Sequence, residues 1–192
     1  NERNKFYLLQ IRPIVDPNKA IDEDLTLIPQ ENTLITSKQA LGNGILEDIY
    51  DVLYVKKGMF NPSNNQLIAY DIDKYNKQML KENRPYILIG PGRWGSSDTW
   101  LGIPVKWPHI TGAKVIVEAG ETSYHIDPSQ GTHFFQNLTS CGSAYLTVDS
   151  YDEEECFNED FLETLEVVEE NKYLKWVRSS TPLVAKVDGK KK

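Results

Sequence analysis

Two apolar runs that do not alternate constrain this chain more than any other feature. "YILIG" (86–90) and "AKVIVEA" (113–119) set apolar residues at consecutive positions. Consecutive side chains of a strand point to opposite faces, so strands of this kind need cover on both sides. "SAYLTVD" (143–149) reads as a third strand.

The intervening segments supply candidates for that cover. "DIDKYNKQMLKENR" (71–84) predicts a helix, capped by Asp71 or Asp73, with Ile72, Tyr75, Met79 and Leu80 at helical spacing. Before it, "MFNPSNNQ" (59–66) reads as a loop and "LIAY" (67–70) as a short strand. Residues 32–57 give two strand-like stretches broken by Gly42-Asn43-Gly44, a turn signal tolerant of positive φ. "KFYLLQIRPIV" (5–15) is strand-like and ends at Pro13 and Pro17, and residues 16–31 read as a linker. Both ends of the chain read as cuts in a longer one. At the other end, 150–161 is an acidic, solvated stretch, and 164–179 alternates around Glu170-Asn171 as an exposed hairpin does. The tail 189–192 is expected to be disordered. Strands interleaved with helix predict a mixed α/β fold, with 32–149 as the main domain and 150–188 as an acidic segment plus hairpin.

Composition sets the bounds on function. The 192 residues are 40% apolar, enough for a sizeable core, and the formal net charge of −7 leaves no basic stripe for nucleic acid. No run approaches the roughly 18 apolar residues of a membrane helix, and the first residues lack a signal-peptide layout. Cys141 and Cys156 show no CxxC spacing and read as reduced thiols. The expectation is a cytoplasmic protein without nucleic-acid or membrane partners.

"ILIGPGRWGSSDTWLGIPV" is the segment richest in chemistry. Gly90, Gly92 and Gly95 spell G-x-G-x-x-G after an apolar strand, and Glu118 stands where a dinucleotide fold sets its ribose-binding acid. That fold also needs a helix after the third glycine, and Gly102, Pro104, Pro108 and Gly112 leave no uninterrupted helical stretch there. A Walker A reading fails at Ser96, which stands in place of the lysine. Two readings remain open. In one, the glycines make a tight turn and Trp94 and Trp100 pack over the core. In the other, Arg93, Ser96, Ser97 and Asp98 with Lys106 form an anion site at a strand end. "HIDPSQGTHFFQN" is the second candidate: Asp127, Ser129 and Gln130 open a possible helix start, and His133 is either a base or phosphate contact or a hydrogen-bonded core histidine. No metal-ligand cluster, GxSxG elbow or Cys-His pairing stands out.

"FYLLQIRPI" resembles the closing strand of the ATP-grasp domain in phosphoenolpyruvate synthases and pyruvate, phosphate dikinases, whose signature is "LLQxRP". The resemblance carries the family's nucleotide-site Gln and Arg onto Gln10 and Arg12. It implies ATP and Mg for the full-length parent, none for this piece alone, and the parent's own ATP-grasp domain as partner. The rest of the chain is similar to the C-terminal region of a bacterial branch of such proteins. "GRWGSSDTWLGIP" resembles the swivelling phosphohistidine loop "GGxTSHAAxxARxLGIP", sharing Leu101-Gly102-Ile103-Pro104, but it is four residues shorter and carries no histidine. Phosphoryl relay needs that imidazole. The resemblance therefore implies a non-catalytic C-terminal accessory domain, a degenerate phosphohistidine-like β/α unit; the two donor-rich loops add the expectation that it binds a small phosphorylated or carboxylate ligand through Arg93, Ser96, Ser97 and His133. Its alternatives are a degenerate relay domain and a structural docking module.

Overall fold

The two unalternating runs lie side by side and parallel, with Ile87, Leu88 and Ile89 opposite Val115, Ile116 and Val117. The structure is a computed structural model and describes residues 21, 24–29, 31, 33–119, 142–149 and 151–188. In chain order its elements are β1 (Ile35–Thr36), β2 (Gln39–Leu41), β3 (Asn43–Val55), α1 (Pro62–Lys81), β4 (Tyr86–Gly90), β5 (Arg93–Trp94) and β6 (Gly102–Ile103). Then come β7 (Ala113–Ala119), β8 (Ala144–Val148), β9 (Cys156–Phe157), α2 (Glu159–Glu163), β10 (Glu166–Glu170) and β11 (Leu174–Asp188). Seven strands form one sheet in the order β10-β11-β3-β4-β7-β8-β2. The inner four, β3, β4, β7 and β8, are parallel. Antiparallel strands flank them on both sides, so the fold is mixed α/β.

Both faces of the sheet are covered, which explains the lack of alternation. On one face Leu53, Leu88 and Ile116 meet Ile68, Ile72 and Met79 of α1, together with Trp94 and Ile103 from the β4–β7 connection. On the other, Val52, Ile87, Ile89 and Val117 meet Leu162 of α2, Phe157 and the far half of β11. Among the described residues no helix is long and apolar enough to cross a membrane.

Helix α1 begins well before the predicted start. Residues 62–66 are not a loop and 67–70 are not a strand; both belong to the helix. Asn61 Oδ1 accepts the Ser63 and Asn64 N–H groups at 3.1 and 3.0 Å, and Pro62 occupies the first helical position with its φ already set. In "LIAY", Ile68 and Ala69 turn inward while Leu67 and Tyr70 face solvent. Leu80, expected on the apolar face, is exposed, whereas Ile72, Tyr75 and Met79 are fully buried. Asp71 and Asp73 are not caps: Asp71 accepts a bond from Asn171 at 2.8 Å, and Asp73 pairs with Lys77 at 2.6 Å. The helix ends before residue 84, where Asn83 takes the positive φ of 52° that closes a C-terminus.

The C-terminal hairpin is exposed only on its outer strand. Asn171 makes the turn by accepting the Tyr173 and Leu174 N–H groups, each at 2.8 Å. Strand β11 then pairs antiparallel with β3 from Leu174–Val55 to Asp188–Asn43, and Leu174, Trp176 and Val177 are fully buried. The segment after 150 therefore supplies two strands to the same sheet as the segment before it.

At the centre of the β3–β11 ribbon lies a charged group, Asp51, whose side chain is 1% exposed. Its Oδ1 accepts Trp176 Nε1 at 2.7 Å and Arg178 Nε at 2.9 Å, and its Oδ2 accepts Arg84 Nη1 at 3.2 Å. A buried carboxylate persists only when paired, and removing one partner of such a cluster strands the others. Asp51→Ala should lower the unfolding free energy by roughly 3–5 kcal/mol, read as a shift of the urea midpoint at unchanged slope. A loss below about 1 kcal/mol, the worth of a surface pair, would show that the cluster does not hold the ribbon.

Candidate ligand cleft at the strand ends

The carboxyl ends of β3, β4 and β7 stop side by side at Val55, Gly90 and Ala119 and border a cleft of about 280 Å³. Ligands of open α/β sheets bind outside the carboxyl ends of parallel strands, and a space of this size suits a small metabolite. Val55, Gly90, Pro91 and Ala119 line the strand side, and Phe157, Glu159, Asp160 and Glu163 line the facing wall. Lys56, Lys57, Glu170 and Lys175 complete a charged rim.

Strand pairing brings these charges together from distant segments. Lys175 lies directly opposite Tyr54 in the β3–β11 register. Glu163, at the end of α2, bridges them: Tyr54 Oη donates to its Oε1 at 2.8 Å and Lys175 Nζ to its Oε2 at 2.6 Å. Those two donors hold the Glu163 carboxyl below its usual range, Lys175 contributing most. Burial, then the bond to Glu163, pushes the Tyr54 hydroxyl up, so it stays a neutral donor. The other two lysines are held more loosely. Lys56 donates to the Asn171 carbonyl at 2.8 Å but stands 4.0 Å from Glu170, and Lys57 stands 3.8 Å from Glu159.

The glycine-rich loop begins at the cleft and turns away from it. Gly90 and Pro91 line the space; Arg93, Ser96, Ser97, Asp98 and Lys106 do not. The glycines serve packing. A Cβ on Gly90 would meet the Trp94 ring at 2.7 Å, and one on Gly92, whose φ is +72°, would meet Phe60 at 2.7 Å. A Cβ on Gly102 would run into the Arg93 carbonyl oxygen. The protein's own side chains and backbone pack against these glycines, and no α-helix stands between Gly95 and β7. Glu118, spaced like a ribose-binding acid, instead accepts the Trp94 N–H at 3.3 Å, while Trp94 Nε1 donates to the Val117 carbonyl at 2.9 Å. Trp94 packs in the core as expected, but Trp100 is 67% exposed.

The polar residues of the loop mostly bond to the loop itself. Ser96 Oγ donates to the Asp98 carbonyl at 2.9 Å, and Asp98 Oδ1 accepts the Trp100 N–H at 2.9 Å. Arg93 is half-buried, with its backbone paired to β6, whereas Ser97 and Lys106 are exposed. The Lys106 N–H donates to His109 Nδ1 at 3.1 Å. Two buried asparagines of α1 pin the connection: Asn65 Nδ2 donates to the Thr99 carbonyl at 2.8 Å, and Asn76 Oδ1 accepts the Gly112 N–H at 2.9 Å. Gln10, Arg12, Asp127, Ser129, Gln130, His133 and Cys141 lie outside the described residues. Among the described residues, no group of three or more His, Cys, Asp or Glu side chains is placed to hold a metal ion.

Sequence reasoning singled out the loop and missed Tyr54, Lys56, Lys57, Glu163 and Lys175. One signal was available: "YVKKG" sets two lysines at the end of an apolar strand that precedes a helix. No family model, curated protein or solved structure matches this chain.

Two outcomes follow from this geometry. Gly102→Ala should cost more than about 3 kcal/mol, an overpacking loss, whereas Gly58→Ala, at φ +73° in open space, should cost about 1 kcal/mol in thermal melts. Equal losses would refute the packing role of Gly102. A group whose folded pKa is depressed stabilises fully above its unfolded pKa, and that contribution is lost as pH falls through the folded one. In a carboxyl NMR titration Glu163 should therefore have its midpoint below the usual 4.5, and Lys175→Met should raise it. A midpoint unmoved by that substitution would contradict the assigned cause.

Proposed function

We propose that this chain is a non-catalytic C-terminal accessory domain of a phosphoenolpyruvate synthase/dikinase-like protein and that it binds a small anionic ligand in the strand-end cleft. One observation carries the binding reading: three lysines line a cleft formed where three parallel strands end. Lys175 is committed to Glu163 at 2.6 Å, so an incoming anion competes for Lys56 and Lys57, whose ion pairs are long and open to solvent. Exposed pairs of that kind are worth under about 1 kcal/mol and exchange partners readily. The membership reading rests on the sequence resemblance of "LLQIRP" and "GRWGSSDTWLGIP". In it, the ATP-grasp domain is the partner and ATP with Mg belongs to the parent. The domain's part is to hold a phosphorylated or carboxylate molecule; no group transfer is assigned to it.

Isothermal calorimetry on the chain with inorganic phosphate and with phosphoenolpyruvate tests the binding reading. Heat of binding is expected for at least one of them. Lys57→Gln should weaken it by about threefold, the worth of one exposed charge contact, while Arg93→Ala leaves it unchanged. Absence of heat with both ligands would overturn the reading, and loss through Arg93→Ala alone would move the site to the glycine loop.

A further inference from the structure

We propose that the ligand of this cleft is a small zwitterion, carrying an ammonium group beside its anionic group; the inference rests on the cleft being the binding site. The charges of the lining do not balance. Lys56 faces Glu170, Lys57 faces Glu159 and Lys175 faces Glu163, which pairs three of the four carboxylates. The fourth, Asp160, is exposed on the same wall as Glu159 and has no partner among the described residues. Three lysines against four carboxylates leave the lining one negative charge in excess.

A bare anion fits this arrangement poorly. To reach Lys57 it must compete with Glu159, and Asp160, the next residue of α2, adds a second carboxylate on the same helix. Both carboxylates repel an incoming anion, by a modest amount because they are exposed and water screens them. A ligand with its own ammonium group removes the conflict. Its anion takes Lys57 and its ammonium takes the place of Lys57 beside Glu159 and Asp160, so Glu159 does not lose its cation when the anion binds. Lys57 and Glu159 stand 3.8 Å apart across the opening, so the two ligand charges need only a short spacer. Val55, Ala119 and Phe157 offer that spacer an apolar surface. A phosphorylated amine or a small amino acid has this form.

The experiment is a calorimetric comparison on the chain, at low ionic strength, of O-phosphoethanolamine, inorganic phosphate and ethylamine. O-Phosphoethanolamine should bind about threefold more tightly than either single-charge probe, the worth of one additional exposed charge contact. Asp160→Asn should reduce that preference from both sides, weakening O-phosphoethanolamine and tightening phosphate, from which it removes a repelling charge. Phosphate binding as tightly as O-phosphoethanolamine, or a preference untouched by Asp160→Asn, would overturn the zwitterion inference and leave the anion reading standing. No binding by any of the three, nor by phosphoenolpyruvate, would remove both.

Discussion

The buried carboxylate of Asp51 ties together β3, β11 and the segment that leads from α1 into β4. It sits where the sheet changes character: β3 pairs parallel with β4 on one side and antiparallel with β11 on the other. Its donors come from the end of the α1 connection, Arg84, and from β11, Trp176 and Arg178. A charge with almost no access to water fixes the positions of every group that neutralises it, because any lost partner leaves a large desolvation penalty unopposed. That one carboxylate therefore sets the β3–β11 register. The register in turn puts Lys175 opposite Tyr54 at the mouth of the cleft.

The connection between β4 and β7 is fixed differently, by neutral polar groups. Asn65 and Asn76 lie on the buried face of α1, and each binds backbone groups of the irregular connection between β4 and β7. An irregular segment packed against a core must satisfy its N–H and C=O groups somehow, and two amide side chains at compatible helical spacing do so here. Trp94 completes the arrangement by donating from its ring to the end of β7. Gly90 and Pro91 are thereby held at the strand end as a rigid edge of the cleft, and the polar part of the loop faces elsewhere.

Local pattern revealed the central strands because burial on both faces leaves a mark at every position, as in "YILIG" and "AKVIVEA". It misplaced the start of α1, since "NPSNN" has the composition of a loop while Asn61-Pro62 acts as a cap and first helical residue. It took 164–179 for an exposed hairpin because "YLKWVR" alternates identically whether a strand is an edge or pairs with β3 on its inner side. The glycine loop was legible as a strand-end turn, and the lack of an α-helix between it and β7 was legible in Gly102, Pro104, Pro108 and Gly112. The cleft was not legible, because its charged residues come from residues 56–57, 159–170 and 175, and only long-range pairing brings them together.

The functional proposal stands or falls on where a ligand binds: at the strand-end cleft, and not at the polar residues of the glycine loop. Backbone amide chemical shifts followed while phosphoenolpyruvate is titrated into the isotope-labelled chain test it most directly. Shifts are expected to concentrate at 54–57, 90, 119, 157, 159–160 and 163, residues that border the cleft and carry an amide proton. Shifts centred instead on 93–98 and 106, with the cleft residues still, would contradict it.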